Sequence, residues 1–181
     1  KTKYFQNRQL VQKVLLNSFY GVLALGSFRF YDVDNAEAVT SSGMQIIKFS
    51  AQMINSKYQN ILNTKDNYVI YIDTDSCFAS SLPIIKHRYP NCNVNDTDFM
   101  VEKTLEVATE TQKWVNDAYN IYTQRFHNVT KHRLEIKQEL VATAGFWVAK
   151  KRYAMLVINE EGVMLPKPHL DVKGLDVVRS S

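Results

Sequence analysis

Two aspartates separated by one residue form the most chemically suggestive pattern in the sequence. Asp73 and Asp75 lie in the run Y-I-D-T-D-S, between two apolar segments rich in β-branched and aromatic residues. Such segments predict a β-hairpin with both carboxylates at its tip. Alternation along an extended chain can place the two side chains on the same side. Carboxylate oxygens suit Mg²⁺, which prefers one or two carboxylates together with water and substrate phosphates. A turn that only satisfies its own backbone is the alternative.

A second pattern lies near the start of the chain, where Lys13, Asn17, Tyr20 and Gly21 follow one another at helical spacing. Positions i, i+4, i+7 and i+8 share one stripe of a helix. A cation, an amide and an aromatic ring suit a nucleoside triphosphate, the cation for the phosphates and the other two for sugar and base. The alternative is an ordinary helix with a solvated Lys13 and a core Tyr20.

A basic cluster, Lys150, Lys151 and Arg152, is followed directly by Tyr153 and lies between two predicted strands. Cations of this kind hold a nucleic-acid backbone through its phosphates without reading sequence. Strand alternation is expected to point Lys150 and Lys151 to opposite faces, which favours a solvated role for Lys150. The carboxylate pair, the helix stripe and the basic cluster together are what nucleotidyl transfer on a polynucleotide needs.

The elements that carry these residues are predicted to be helices and antiparallel strands. Apolar periodicity predicts helices over residues 1–24, 35–62 and 97–126, the second of them capped by Asp34 and Glu37. Residues 82–96, rich in proline and asparagine, are predicted to form a surface loop. Strands are predicted from residue 133 onward, with a turn at residues 160–162. We therefore expect an α+β fold.

Composition narrows the class of protein. The chain has 181 residues, enough for a substantial core, and a net charge of +4, which is compatible with a nucleic-acid partner. Two cysteines are too few for a disulfide framework, and they favour a reducing compartment such as the cytoplasm. No apolar run approaches membrane-spanning length, so no membrane partner is expected. The chain begins inside a predicted helix without an initiator methionine, and we expect it to be a fragment.

Four motifs, in order along the chain, resemble those of family B DNA polymerases. Residues 13–21 resemble the K-x-x-x-N-S-x-Y-G motif of a fingers helix, and residues 71–76 resemble the Y-x-D-T-D-S palm motif. Residues 150–154 resemble the K-K-R-Y motif, and residues 173–181 resemble the K-G-x-x-x-x-R-S-S segment that leads into the thumb. The run G-F-W-V-A-K-K-R-Y-A is most similar to replicative polymerases of T-even-type bacteriophages.

The resemblance implies a domain organisation: part of the fingers helical hairpin in residues 1–24, a palm with an antiparallel sheet backed by helices in residues 25–172, and a palm-to-thumb junction in residues 173–181. It also implies templated addition of a deoxynucleotide to a primer 3′-OH with loss of pyrophosphate, through two Mg²⁺ ions. The implied partners are primer-template DNA, a dNTP and a sliding clamp. The implied setting is a virus-encoded protein in a host cell.

Roles for individual residues follow from the same resemblance. Asp75 is the expected catalytic metal ligand, and Asp73 either joins it or orients the site from behind. The implied nucleotide-binding residues are Lys13, Asn17, Tyr20, Gly21 and Thr74. The implied DNA-binding residues are Lys150, Lys151, Arg152, Tyr153, Lys173, Gly174 and Arg179, with Lys151 and Tyr153 expected to make the most direct contacts.

The sequence also departs from the family pattern. It contains no D-x-x-S-L-Y-P-S-type motif, which carries the palm's other metal-binding carboxylate, and no proofreading exonuclease segment, so we expect the isolated chain to be inactive. A non-catalytic nucleic-acid-binding domain is one alternative, which the intact Asp73, Asp75 and Lys13 disfavour. Another palm-type nucleotidyltransferase, such as a reverse transcriptase, is the second, and the Thr74 spacer disfavours it because reverse transcriptases typically carry adjacent aspartates.

Overall fold

The computed structural model describes residues 2–175. Over this range the elements are α1 (Thr2–Gly21), a 3-10 turn (Val22–Ala24), α2 (Val33–Leu62), β1 (Val69–Asp73), β2 (Ser76–Ala79), α3 (Leu82–Arg88), α4 (Thr97–His127), β3 (Leu140–Ala149), β4 (Arg152–Glu160) and β5 (Val163–Lys173). The combination of helices with antiparallel sheets confirms the predicted α+β class. The chain divides into two compact units, Lys1–Ile46 and Ile47–Ser181, each described by itself.

The first unit contains α1 and the beginning of α2. The predicted first helix is present, with its last residues in the 3-10 turn. The predicted cap of α2 at Asp34 and Glu37 is wrong by two residues. Asp32 precedes the helix, and its carboxylate accepts a hydrogen bond from the Asn35 backbone N–H at 3.0 Å. An aspartate just before the first helical residue can reach the N–H three positions on, which is the usual N-cap geometry.

In the second unit, the later part of α2 packs against α4. The Ser50 and Tyr119 hydroxyl oxygens lie 2.6 Å apart in the buried interface, and the Phe49 and Tyr122 rings pack at a tilt with centroids 4.5 Å apart. Both helices present buried apolar residues at helical spacing, as their periodicity predicts. At the C-terminal end of α4, however, Phe126 does not join this core and is 71% exposed.

The predicted loop over residues 82–96 is wrong in its first half, because Leu82–Arg88 forms the short helix α3. Pro83 lies in its first turn, where the missing N–H has no helical partner to lose and the fixed φ suits the helix. Ile84 and Ile85 are fully buried and anchor the helix on the core. Proline in a sequence favours the prediction of a loop, but here Pro83 comes just before two buried isoleucines and begins a helix.

The predicted strand beginning at residue 133 starts instead at Leu140, and residues 133–139 form an extended segment outside any sheet of the described chain. Its side chains alternate between partly buried and exposed, as predicted. Near its middle, the backbone groups of this segment bond to side chains of α4. The Ile136 N–H donates to Asn116 Oδ1 at 2.8 Å, Asn116 Nδ2 donates back to the Ile136 carbonyl at 3.1 Å, and the Gln138 N–H donates to Gln112 Oε1 at 2.9 Å. Helix side chains therefore do here what a neighbouring strand does in a sheet.

Strands β3, β4 and β5 form an antiparallel sheet with β4 in the centre, and β1 and β2 form a separate two-stranded hairpin. The predicted turn after β4 is present at residues 161–162, where Gly162 has a φ of 81°. None of the helices over residues 2–175 combines the length and apolar character needed to cross a membrane.

Candidate functional site

The two aspartates lie at the tip of the β1–β2 hairpin, as predicted. Asp73 pairs with Ser76, so Thr74 and Asp75 form a two-residue turn. Thr74 has a φ of 27°, a strained conformation for a β-branched residue. Its hydroxyl donates to Asp73 Oδ1 at 3.2 Å. Asp73 is half-buried and Asp75 is exposed, so the hairpin tip presents one partly shielded and one solvent-accessible carboxylate.

The donor set of this turn fits a hard divalent cation. Both side chains offer only carboxylate oxygens, and such an ion completes its coordination with water and substrate phosphates. Among residues 2–175, no group of three or more His, Cys, Asp or Glu side chains is arranged to hold a metal ion. The described residues therefore supply a partial ligand set.

Four aromatic rings connect the hairpin to the larger sheet: Tyr71 and Phe78 from the hairpin, and Trp147 and Tyr153 from β3 and β4. Ring centroids lie 5.5 Å apart for Tyr71 and Tyr153, 5.8 Å for Phe78 and Tyr153, and 5.9 Å for Phe78 and Trp147. Tyr153 is only 2% exposed at the centre of this aromatic cluster. Since one hairpin strand ends at Asp73, the cluster fixes the aspartate turn relative to the sheet.

The basic residues Lys150 and Lys151 occupy the turn between β3 and β4, which the pairing of Ala149 with Arg152 closes. The expectation that strand alternation separates Lys150 from Lys151 is therefore wrong, because neither residue belongs to a strand. Both are exposed, and Lys151 has a φ of 59°. The Lys151 backbone N–H donates to the Tyr71 hydroxyl at 2.6 Å. This bond attaches the basic turn to the hairpin that carries the aspartates.

The end of β5 lies beside Tyr153 and Lys151. The Lys173 ammonium lies 5.6 Å from the centroid of the Tyr153 ring. A hydrogen bond with the Tyr153 side chain raises the pKa of Lys173, and the charges of Asp171 and Asp73 raise this pKa further. These interactions favour the protonated, positively charged form of the Lys173 side chain. Gly174 has a φ of 63°, and a Cβ at this position would collide with the Lys151 carbonyl oxygen. Arg179 lies outside the described residues.

Lys13, Asn17, Tyr20 and Gly21 all lie on α1, in the first unit, as predicted. Lys13 and Asn17 are exposed. Tyr20 is 42% exposed, so it is not the core residue of the alternative interpretation, and its hydroxyl donates to the Ala36 carbonyl at 3.4 Å. A Cβ on Gly21 would meet nothing within 4 Å in the described structure.

Sequence reasoning did not single out Phe78, Trp147 or Gly145. The indole of Trp147 folds over Gly145, where a Cβ would overlap ring atoms Cη2 and Cζ3. The available signal was the spacing of two residues in a predicted strand, which places both on one face.

Comparisons with known proteins agree with these motifs. The sequence model of DNA polymerase family B matches residues 1–181. The chain is 30% identical to the DNA-directed DNA polymerase of Escherichia phage RB69 in an alignment 182 residues long, gaps included, that covers 96% of the chain and 20% of that protein. It is 29% identical to the DNA-directed DNA polymerase of Enterobacteria phage T4, with the same coverage. It is 29% identical to DNA polymerase 1 of Pyrococcus abyssi, covering 98% of the chain and 18% of that protein. The chain thus spans about a fifth of the length of the curated relatives that it matches.

Proposed function

The chain belongs to DNA polymerase family B, and on that basis we propose that the protein carrying it is a DNA-directed DNA polymerase, a nucleotidyltransferase that extends a primer 3′-OH on a template. One observation carries the proposal: the hydrogen bond from the Lys151 N–H to the Tyr71 hydroxyl joins the basic turn to the aspartate hairpin. Phosphate-binding cations beside a paired-carboxylate turn suit phosphoryl transfer on a polyanion. A module that only binds nucleic acid has no use for the carboxylates.

The segments take the following roles in this proposal. Residues 1–24 form part of the fingers, residues 25–172 form the palm, and residues 173–181 lead from the palm towards a thumb. The family uses divalent metal ions in general, and we propose two Mg²⁺ ions here.

Asp75 and Asp73 are the proposed ligands, Asp75 from the exposed tip and Asp73 from the half-buried strand end. When bound, a pair of such ions stabilises the attacking and leaving oxygens of an in-line displacement. The Thr74 hydroxyl, 3.2 Å from Asp73 Oδ1, orients that carboxylate. Placing one ligand at the end of a paired strand and the other in the adjoining two-residue turn restricts their movement, which reduces the reorganisation needed at each reaction cycle.

Primer-template DNA is the proposed partner of the basic turn and the end of β5. Lys150, Lys151, Arg152 and Lys173 are exposed, and phosphates can reach them. Tyr153 is buried beneath Lys173, so we assign it the role of holding that cation. Gly174 leaves room for the Lys151 backbone. With Arg179 included, five phosphate contacts predict a slope of roughly −4 to −5 in log K against log salt concentration.

The incoming dNTP is the proposed partner of α1. The exposed Lys13 would offset charge that develops on the pyrophosphate leaving group. Asn17 and Tyr20 would line the pocket of the nascent base pair, with Gly21 leaving space beside them. We further propose a sliding clamp as partner and the cytoplasm of an infected host cell as location; the phage origin of two relatives supports the second by analogy.

The test is primer extension by the complete gene product carrying Asp75→Asn. Loss of a metal ligand removes several kcal/mol of transition-state stabilisation, so we expect extension to fall by about 10³-fold or more. Primer-template affinity should stay within about twofold, since the substitution removes no cation that contacts phosphate. Asp117→Asn, on the exposed side of α4, is the matched control. Retained synthesis in Asp75→Asn would refute the catalytic assignment and favour a binding domain.

A further inference from the structure

The backbone of Lys151 is held from two sides. On one side its N–H donates to the Tyr71 hydroxyl at 2.6 Å, across 80 positions of sequence. On the other side its carbonyl oxygen lies against Gly174, where no side chain would fit. Lys151 itself has a left-handed backbone conformation, with a φ of 59°, which is uncommon for residues other than glycine.

Tyr71 is suited to this contact because its ring is itself fixed. The ring packs against Phe78 at 6.0 Å and against Tyr153 at 5.5 Å between centroids. The hydroxyl therefore has a defined position, two residues before Asp73 on the same strand. A hydrogen bond that such an anchor accepts from the backbone of an exposed turn restrains the turn without occupying its side chains.

We propose that Tyr71 is a positioning residue, whose hydroxyl holds the Lys150–Lys151 turn at a set distance from the Asp73–Asp75 turn so that Lys151 meets the DNA backbone in register with the carboxylates. This inference rests on the proposed polymerase function. Tyr71 acts through the Lys151 backbone and touches neither DNA nor nucleotide.

Tyr71→Phe tests the inference, because it removes the hydroxyl acceptor and keeps the ring in the aromatic cluster. We expect the Kd for primer-template DNA to rise about 2- to 10-fold, the change expected for one net hydrogen bond. The slope of log K against log salt should become shallower by about 0.9, one phosphate contact. The extension rate at saturating DNA should stay within about twofold, so the loss falls on DNA binding and not on the chemical step.

The decisive measurement is a double-mutant cycle with Lys151→Ala. If Tyr71 acts through Lys151, adding Tyr71→Phe to Lys151→Ala costs nothing further in Kd. Tyr68→Phe is the matched control, because it also removes a hydroxyl with a short contact, 2.7 Å to the Thr64 hydroxyl, outside the site. Its Kd should equal that of the parent protein.

Three results would overturn the inference: an unchanged Kd in Tyr71→Phe, additive losses in the double mutant, or an effect of Tyr71→Phe where Lys151→Ala alone has none. If Tyr71→Phe does not fold, Gly174→Ala displaces the Lys151 backbone from its carbonyl side, and the same cycle with Lys151→Ala decides. Synthesis retained by Asp75→Asn would refute the proposed function independently of this inference, because the double-mutant cycle measures DNA binding and needs no catalysis.

Discussion

Gly145→Ala should destabilise this protein, although replacing glycine by alanine in an unstrained strand ordinarily stabilises. Gly145 and Trp147 lie on the same face of β3, and the indole covers the glycine so closely that a Cβ would overlap it. The indole has little freedom to move away, because it packs against Phe78 with ring centroids 5.9 Å apart.

The magnitude follows from two opposing effects. Forcing an extra carbon into a packed contact costs about 1–3 kcal/mol. Restricting the unfolded chain by removing a glycine contributes about 0.4–1 kcal/mol of stability. The net expectation is a loss of about 1–2 kcal/mol in the free energy of unfolding. If the indole is first removed by Trp147→Leu, the clash disappears and Gly145→Ala should become neutral or stabilising by up to about 1 kcal/mol.

Urea unfolding, followed by circular dichroism on all four members of this cycle, measures the difference. The coupling between the two positions should be about 1–3 kcal/mol. Gly43→Ala in α2 is the matched control, because nothing lies within 4 Å of its added Cβ, and alanine there should stabilise the helix. Equal effects of Gly145→Ala with and without the indole would refute the packing argument. The outcome bears on function because the indole braces the hairpin that carries the aspartates.

Two further predictions concern the same unit. Asn116→Ala should lower the free energy of unfolding by about 1–3 kcal/mol, because both backbone groups of Ile136 lose their partner. Hydrogen exchange at the Ile136 amide should become faster in this variant, and its rate should be unchanged in the control Asn120→Ala. Burial raises the pKa of the Cys77 thiol from 9.0 to about 11, so its thiolate fraction at pH 8 is about 100-fold below that of the unfolded chain. Modification of Cys77 by a disulfide reagent should be slower in the folded state by that factor, and a folded-state rate equal to the unfolded one would contradict it. Because the folded pKa is raised, the Cys77 contribution to stability is complete below about pH 9 and is lost as the pH rises towards 11.

The features that sequence determines are those that depend on neighbouring residues along the chain. The long helix α4, Thr97–His127, matches its predicted span to within one residue, because its apolar spacing and the Asp96 cap are local properties. The hairpin with aspartates at its tip is likewise determined by two β-rich runs and the turn between them. The four motifs that identify family B are sequence patterns as well, and they needed no coordinates.

Tertiary structure decided the features that depend on partners distant in sequence. Within residues 133–139, which lie outside a sheet, Asn116 and Gln112 on α4 take the backbone hydrogen bonds of Ile136 and Gln138. Whether Pro83 interrupts or begins a helix depends on the core that receives Ile84 and Ile85. The Tyr71 hydroxyl reaches the Lys151 N–H because four aromatic rings, two from the hairpin and two from the larger sheet, pack together. Periodicity shows which face of an element is apolar. Which faces meet is set by packing and hydrogen bonding between segments that are distant in sequence. Such contacts connect the turn that carries the carboxylates to the turn that carries Lys150 and Lys151.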